Sequence, residues 1–182
     1  MIKQILSKIL RIIKKAIPLF FIFVAVYFLL FRIFGLHYIQ QDSMQPNITG
    51  FAISNRLAYQ KKDPKRGDII VFTTEHKTMV KRVIGLPGDT VTIWGGEIFI
   101  NGKILSEPYL DDKVITDGNK TYTVPSGMYF VLGDNRDGSY DSRYFTDPFI
   151  DRGNIEGRIF YCLRSIKEFP GAPINQYDYD EK

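Results

Sequence analysis

Residues 94–105 read WGGEIFINGKIL. Two dipeptides in this stretch, Gly95-Gly96 and Asn101-Gly102, favour positive φ at both positions. Two-residue turns of that kind join antiparallel strands because their twist matches that of the flanking chain. The stretch therefore predicts successive hairpins, with strands over 90–94 and 97–100. Working outward, short runs rich in β-branched and aromatic residues at 68–72, 79–84, 121–124, 128–132 and 155–161 read as further strands. Pro125-Ser126-Gly127 supplies a turn between two of them. No segment beyond residue 36 carries a sustained 3.6-residue period. The expected fold is mainly β, antiparallel, in a barrel-like or two-sheet arrangement. A coil-rich connection is expected over 106–120, and the tail over 170–182 reads as loosely ordered.

The N-terminus is of a different kind. Residues 16–31 form an uncharged run rich in Phe, Leu, Ile and Val, and with Arg32 snorkelling the apolar stretch reaches Leu36. That meets the roughly 20 residues a spanning helix needs, with Pro18 near its start, where a helix tolerates it. A cleavable leader would have a shorter apolar core and a small-x-small site after it, and neither is present. The expected organisation is a basic tail over 1–15, an anchor helix over 16–36, a β-rich domain over 37–169 and the tail over 170–182. Lys3, Lys8, Arg11, Lys14 and Lys15 precede the anchor and place the N-terminus in the cytoplasm by the positive-inside rule. The β domain is then extracytoplasmic, at the cell membrane.

Residues 1–35 carry a net charge of +6, and the remainder, with 18 basic and 20 acidic residues, carries −2. The β domain thus offers no electrostatic footprint for nucleic acid. The single cysteine, Cys162, excludes an intramolecular disulfide and a cysteine-based zinc site, and it reads as a small core residue.

Between anchor and domain, residues 37–50 read HYIQQDSMQPNITG, the setting of a candidate nucleophile, Ser43. A histidine base is poorly supplied: the chain has two, His37 and His76, which read as surface or interface residues. Lys81 is the alternative. It lies within MVKRVIGLPGDTV (79–91), where strand alternation puts Lys81 and Arg82 on opposite faces and one of them inward with Met79 and Val83. Burial disfavours the charged amine and lowers its pKa. A neutral lysine within reach of a serine hydroxyl can act as its general base. A third segment, YFVLGDNRDGSYDSRYF (129–145), crowds Asp134, Arg136, Asp137, Asp141 and Arg143 together. Its register fails a calcium loop, because Gly133 and Tyr144 would fall at ligand positions. An internally satisfied ion-pair network is the better reading.

Taken together, these segments resemble the type I bacterial signal peptidases, in their compact Gram-positive form. Ser43-Met44-x-Pro46 is similar to the family's nucleophile box, and residues 66–72 (RGDIIVF) to the strand box after it. Residues 81–89 (KRVIGLPGD) resemble the lysine box, Asn101-Gly102-Lys103 the following hairpin, and 133–143 (GDNRDGSYDSR) the last box. The resemblance implies a membrane-bound serine endopeptidase that removes signal peptides from exported precursors at small-x-small sites, without a metal or organic cofactor. It assigns catalysis to Ser43 and Lys81, orientation of the lysine to Ser139, and a substrate-pocket wall to Met44. Oxyanion donors would be the backbone N–H of Ser43 and the amide of Gln41. Structural ion pairs would join Arg82 to Asp134 and Asp141 to Arg143. The partners implied are signal peptides and the lipid bilayer. The chain departs from the family at Gln41, where a small residue is usual, and at Asn47-Ile48, where threonine-leucine is usual. Those changes suggest a narrowed substrate choice, such as pilin-like or other surface proteins. A non-catalytic assembly factor is the alternative. Self-cleaving repressors share the S-M-x-P stretch but carry a DNA-binding domain where this chain has a membrane helix.

Overall fold

Helix α1 runs over Ile2–Ile33 in the computed structural model, which describes residues 2–39, 42–75, 77–163 and 172–173. Its Lys8–Ile33 portion holds a stretch long and apolar enough to cross a membrane. The helix starts earlier than the anchor read from hydropathy, because Lys and Arg are good helix formers and nothing in the basic tail breaks the turn. Pro18 consequently lies inside the helix, not at its start. It also ends earlier: residues 34–36, counted above with the anchor, begin a strand. Met1–Phe34 and Gly35–Lys182 form separate compact units.

The second unit holds two antiparallel sheets. The larger is ordered β1 (Phe34–Ile39), β2 (Gly50–Asn55), β11 (Ile155–Leu163), β3 (Ile69–Thr73), β4 (Thr78–Gly85), β9 (Met128–Leu132) and β10 (Ile150–Asp151). The smaller is ordered β7 (Lys103–Ile104), β6 (Glu97–Ile100), β5 (Thr90–Trp94) and β8 (Lys120–Thr123). Its two hairpins turn at Gly95-Gly96 and Asn101-Gly102, all four with positive φ between 53° and 88°. The strands read from sequence are present within a residue or two. Those missed, β1, β2, β7 and β10, are too short or too polar to show a period of their own. The tail is not wholly loose: Ala172–Pro173 form β12 against Tyr161 and Cys162 of β11, while the rest of 170–182 lies outside the described residues.

Three clusters make the core. Ile84, Phe130 and Leu132 of the larger sheet pack with Val91, Ile93, Ile98 and Tyr122 of the smaller one and join the two. Ile70, Phe72, Met79, Val83 and Tyr129 fill one face of the larger sheet. Met44, Ile48 and Ile69 meet Ile159 and Cys162 beneath the segment that follows β1. Fully burying each such aliphatic side chain contributes roughly 1.5–3 kcal/mol.

Strand β11 joins the outer strands β1–β2 to the central β3–β4 pair, and it kinks between Ile155 and Gly157. A Cβ on Gly157 would lie 2.6 Å from the carbonyl oxygen of Asn55 and 3.1 Å from Cα of Arg56. Both are backbone atoms, so the strand cannot yield as a flexible side chain would. Gly157→Ala is expected to destabilise the domain by about 1–3 kcal/mol, read as a lower denaturation midpoint of the full chain in detergent; an unchanged midpoint contradicts the packing argument.

Candidate active site

The segment after β1 tightens into a 3-10 turn at Asp42–Met44. Gln45 N–H donates to Asp42 O at 3.0 Å and Ile48 N–H to Met44 O at 2.8 Å. Met44 and Ile48 are both fully buried and anchor the turn in the core. From the opposite side, Asn135 donates its backbone N–H to Ser43 O and its side-chain amide to Asp42 O, each at 3.1 Å. An apolar base and a polar neighbour thus hold Ser43, itself 6% exposed, in one position.

Lys81 lies mid-strand in β4 opposite Ile70 and is 1% exposed. Its Nζ donates to Ser43 Oγ at 2.7 Å. Burial is the largest influence on the amine and lowers its pKa from 10.5 to about 8, with Lys77 and Arg143 acting in the same direction and Asp141 and Asp134 against it. Lys81 shares its strand face with Met79 and Val83, as alternation requires. Arg82, on the opposite face, is buried as well, at 2% exposed. Its face of the strand is covered too. Nε and Nη2 of Arg82 donate to the Asp134 carboxylate at 2.8 and 2.6 Å, Nη1 donates to Gly67 O at 3.0 Å, and the Tyr109 ring lies 3.7 Å from the guanidinium.

The segment 133–143 wraps behind this pair. Asp141, fully buried, receives Gly133 N–H at 3.0 Å and Arg143 Nε at 2.9 Å. Arg136 reaches beyond the segment, pairing Nη2 with Glu107 at 2.6 Å and donating also to Thr116. Ser139 departs from its expected place: its Oγ is buried and has no hydrogen-bond partner among the described residues, so it does not bond the Lys81 amine. It packs against Gly133, where a Cβ would collide with Ser139 Oγ and with the carbonyl oxygen of Ser43. Bare backbone at Gly133 is what lets these two segments approach.

Sequence reasoning missed Glu107 and Tyr109, which belong to the connection read as coil. The only local signal was an acid and an aromatic in an otherwise featureless stretch. Tyr109, 6% exposed, and Glu107 dock that connection onto Arg82 and Arg136.

A cleft of about 420 Å³ opens on the pair, walled by Leu36, His37, Tyr38 and Ile39 of β1, by Thr78–Lys81 of β4, and by Ser43. Met44, expected in a pocket wall, lies fully buried in the core; Ile39, of the same cluster, meets the cleft instead. His37, expected as a surface or interface residue, is half-buried in the wall with Nε2 2.8 Å from Ser54 Oγ. Burial lowers its pKa, with Glu156 opposing and Arg56 reinforcing the shift. Gln41 and His76 lie outside the described residues.

Residues 11–163 match the family described as "Signal peptidase, peptidase S26". Among curated proteins the chain is similar to the probable signal peptidase I-2 of Synechocystis sp., 38% identical over 68% of this chain and 60% of that protein. It is likewise similar to signal peptidase I of Leptolyngbya laminosa, 39% identical over 75% of this chain and 73% of that one. The Bacillus caldolyticus signal peptidase I is 37% identical over 75% and 83% of the two. A crystal structure of a signal peptidase I from Enterococcus faecalis V583 matches with a TM-score of 0.47 and 40% identity, covering 53% of this chain and 97% of that one.

Two measurements test the energetics of the buried cations. Arg82→Ala leaves the Asp134 carboxylate buried without its cation and is expected to cost about 3–5 kcal/mol in chemical denaturation; a loss below about 1 kcal/mol would place the pair among weak surface bridges. For Lys81, the unfolded amine holds its proton up to pH 10.5 and the folded one only to about pH 8. Its burial cost is therefore fully present below the lower value and relieved as pH rises through the window, so stability climbs with pH there. Lys81→Met removes that climb, and a wild-type profile as flat as the variant's contradicts the assignment.

Proposed function

Since the chain belongs to the signal peptidase S26 family, whose members are membrane-associated, we propose that it is a membrane-bound serine endopeptidase that removes signal peptides by a Ser43–Lys81 dyad. The 2.7 Å contact between Lys81 Nζ and Ser43 Oγ, both buried at the base of the cleft, is the observation that carries this reading. With the amine neutral, the hydroxyl proton can pass to Nζ as Oγ attacks the scissile carbonyl. Collapse of the tetrahedral species breaks the C–N bond. The ammonium of Lys81 returns its proton to the leaving amine, and an acyl group remains on Ser43. A water molecule, deprotonated by the same amine, then attacks the ester, and the ammonium returns that proton to Ser43 Oγ as the acyl–oxygen bond breaks.

The backbone N–H of Ser43, with the Gln41 amide, would stabilise the developing oxyanion, an arrangement in which one donor contributes on the order of 100-fold. Arg82–Asp134 and Asp141–Arg143 act by holding the walls. Ser139 completes the packing behind the dyad, against Gly133. Met44 backs the pocket from within the core.

The cleft supports an extended peptide as substrate. Residues 78–81 of β4 pair with β3 on one side, whereas β9 pairs with β4 only from Arg82 onward. Their other edge is left for a substrate strand, in the manner of β-augmentation. Its modest volume suits small side chains beside the scissile bond, as in Ala-x-Ala-like sites. The bilayer is the second partner, through the apolar part of Lys8–Ile33; Lys3, Lys8, Arg11, Lys14 and Lys15, on the N-terminal side of the uncharged run, favour a cytoplasmic N-terminus and a peptidase unit outside by the positive-inside rule. The departure from a small residue at Gln41 would narrow the substrates toward pilin-like or other surface proteins, whereas Asn47 does not line the cleft.

Cleavage of a tagged precursor bearing an Ala-x-Ala site, in liposomes, tests the reading. Wild type is expected to cut after the small residue. Ser43→Ala and Lys81→Met should lose on the order of 1,000-fold or more in kcat. The rate should rise with pH about a midpoint near 8, where Lys81 becomes neutral. Residual cleavage by Ser43→Ala at the wild-type rate overturns the dyad. Inertness of the folded wild type on both general and pilin-like precursors would favour a non-catalytic assembly factor.

A further inference from the structure

We propose that Asn47 is a positioning residue that locks the nucleophile segment to the Arg82–Asp134 pair and to the 106–119 connection, so holding Ser43 against Lys81. This rests on the dyad reading above. A side-chain amide nitrogen carries two hydrogens, and Asn47 uses both: Nδ2 donates to Asp134 Oδ2 at 2.8 Å and to the backbone carbonyl of Tyr109 at 2.9 Å. The same Asp134 oxygen takes Arg82 Nη2 at 2.6 Å, and the Tyr109 ring covers that guanidinium at 3.7 Å. Asn47, Asp134, Arg82 and Tyr109 therefore close a ring of contacts drawn from four separate segments.

One end of that ring is short-coupled to the nucleophile. Ile48 N–H closes onto Met44 O at 2.8 Å, and Asn135, next to Asp134, holds Ser43 O at 3.1 Å. The other end is short-coupled to the base, because Arg82 directly follows Lys81 on a strand. The distance between hydroxyl and amine is thus set on both sides by one carboxylate, and Asn47 is the link between that carboxylate and the serine's own segment. The residue type matters. Threonine, usual at this place in the resembling family, has one hydroxyl hydrogen and can serve only one of the two acceptors. Aspartate has no donor when ionised and would set a second carboxylate against Asp134.

Asn47 does not wall the cleft. Its loss should act on the chemical step and leave substrate binding alone. A displacement of about an ångström at reacting atoms can cost on the order of 100-fold. Asn47→Ala is therefore expected to lower kcat about 10- to 100-fold at unchanged KM, Asn47→Asp to lower it further, and Asn47→Thr, with one donor, to recover part of the loss.

A second measurement needs no substrate: the pH titration of the Lys81 Cε signal by NMR, on the full chain in micelles. Releasing the nucleophile segment admits water to the amine. The midpoint should then move up from about 8 toward 10.5 in Asn47→Ala, while Asp141, Asp134, Lys77 and Arg143, the charges acting on that amine, stay in place. Asn47→Thr should fall between the two, and it carries the comparison if the alanine variant does not fold. A kcat within about twofold of wild type, a loss confined to KM, or an unmoved Lys81 midpoint each overturns the proposal. A wild type inert on every precursor overturns the peptidase reading instead, and the Lys81 titration then decides the role of Asn47 by itself.

Discussion

Two consecutive cations, Lys81 and Arg82, are buried on opposite faces of one strand, and the surrounding structure is organised by the need to accommodate both. Leaving an ionised group in an apolar interior without partners costs several kcal/mol, so each must be paired, hydrogen-bonded or discharged. The chain takes a different route on each face. Arg82, which cannot lose its proton, receives a bidentate carboxylate, a backbone carbonyl and an aromatic ring. Lys81 receives a serine hydroxyl and, among the described residues, no direct anionic partner, and desolvation lowers its affinity for the proton.

That division sets the chemistry. A carboxylate bonded to Lys81 would hold the amine charged and useless as a base. Asp134 and Asp141 are near enough to raise its pKa somewhat, yet each is held by its own arginine at 2.6 and 2.9 Å. The ion pairs therefore do two things: they satisfy charges that burial would otherwise make costly, and they keep those carboxylates from pairing with the Lys81 amine. The connection carrying Glu107 and Tyr109 completes the arrangement by closing the Arg82 face against water.

Much of the fold was legible in local chemistry. The Gly-Gly and Asn-Gly turns impose backbone conformations that few other residues adopt, and the strands around them alternate cleanly, so β5 and β6 could be bounded to the residue. The helix was legible in kind but not in extent. Hydropathy marks where a chain prefers lipid, whereas the helix continues through the basic tail because propensity allows it and stops where β1 finds a strand partner. β1 and β2 were hidden because strand pairing, not their own pattern, makes them strands.

The site divides along the same line. Ser43, Lys81, Arg82, Asp134, Asp141 and Arg143 stood out by residue type and spacing, since charges and hydroxyls inside apolar or turn-rich stretches are conspicuous in one dimension. Who touches whom was not. Ser139 apart from the lysine amine, Met44 drawn into the core, His37 turned into the cleft wall, and Asn47 bridging Asp134 to Tyr109 all depend on contacts between residues far apart in the chain. The amino-acid sequence by itself determined the membrane-competent helix, the antiparallel strands and the cast of candidate site residues, because these follow from hydropathy, turn stereochemistry and side-chain chemistry acting locally. Only the tertiary structure decided that both cations of β4 are buried and which partner each one has, because burial and pairing are properties of surfaces brought together by folding.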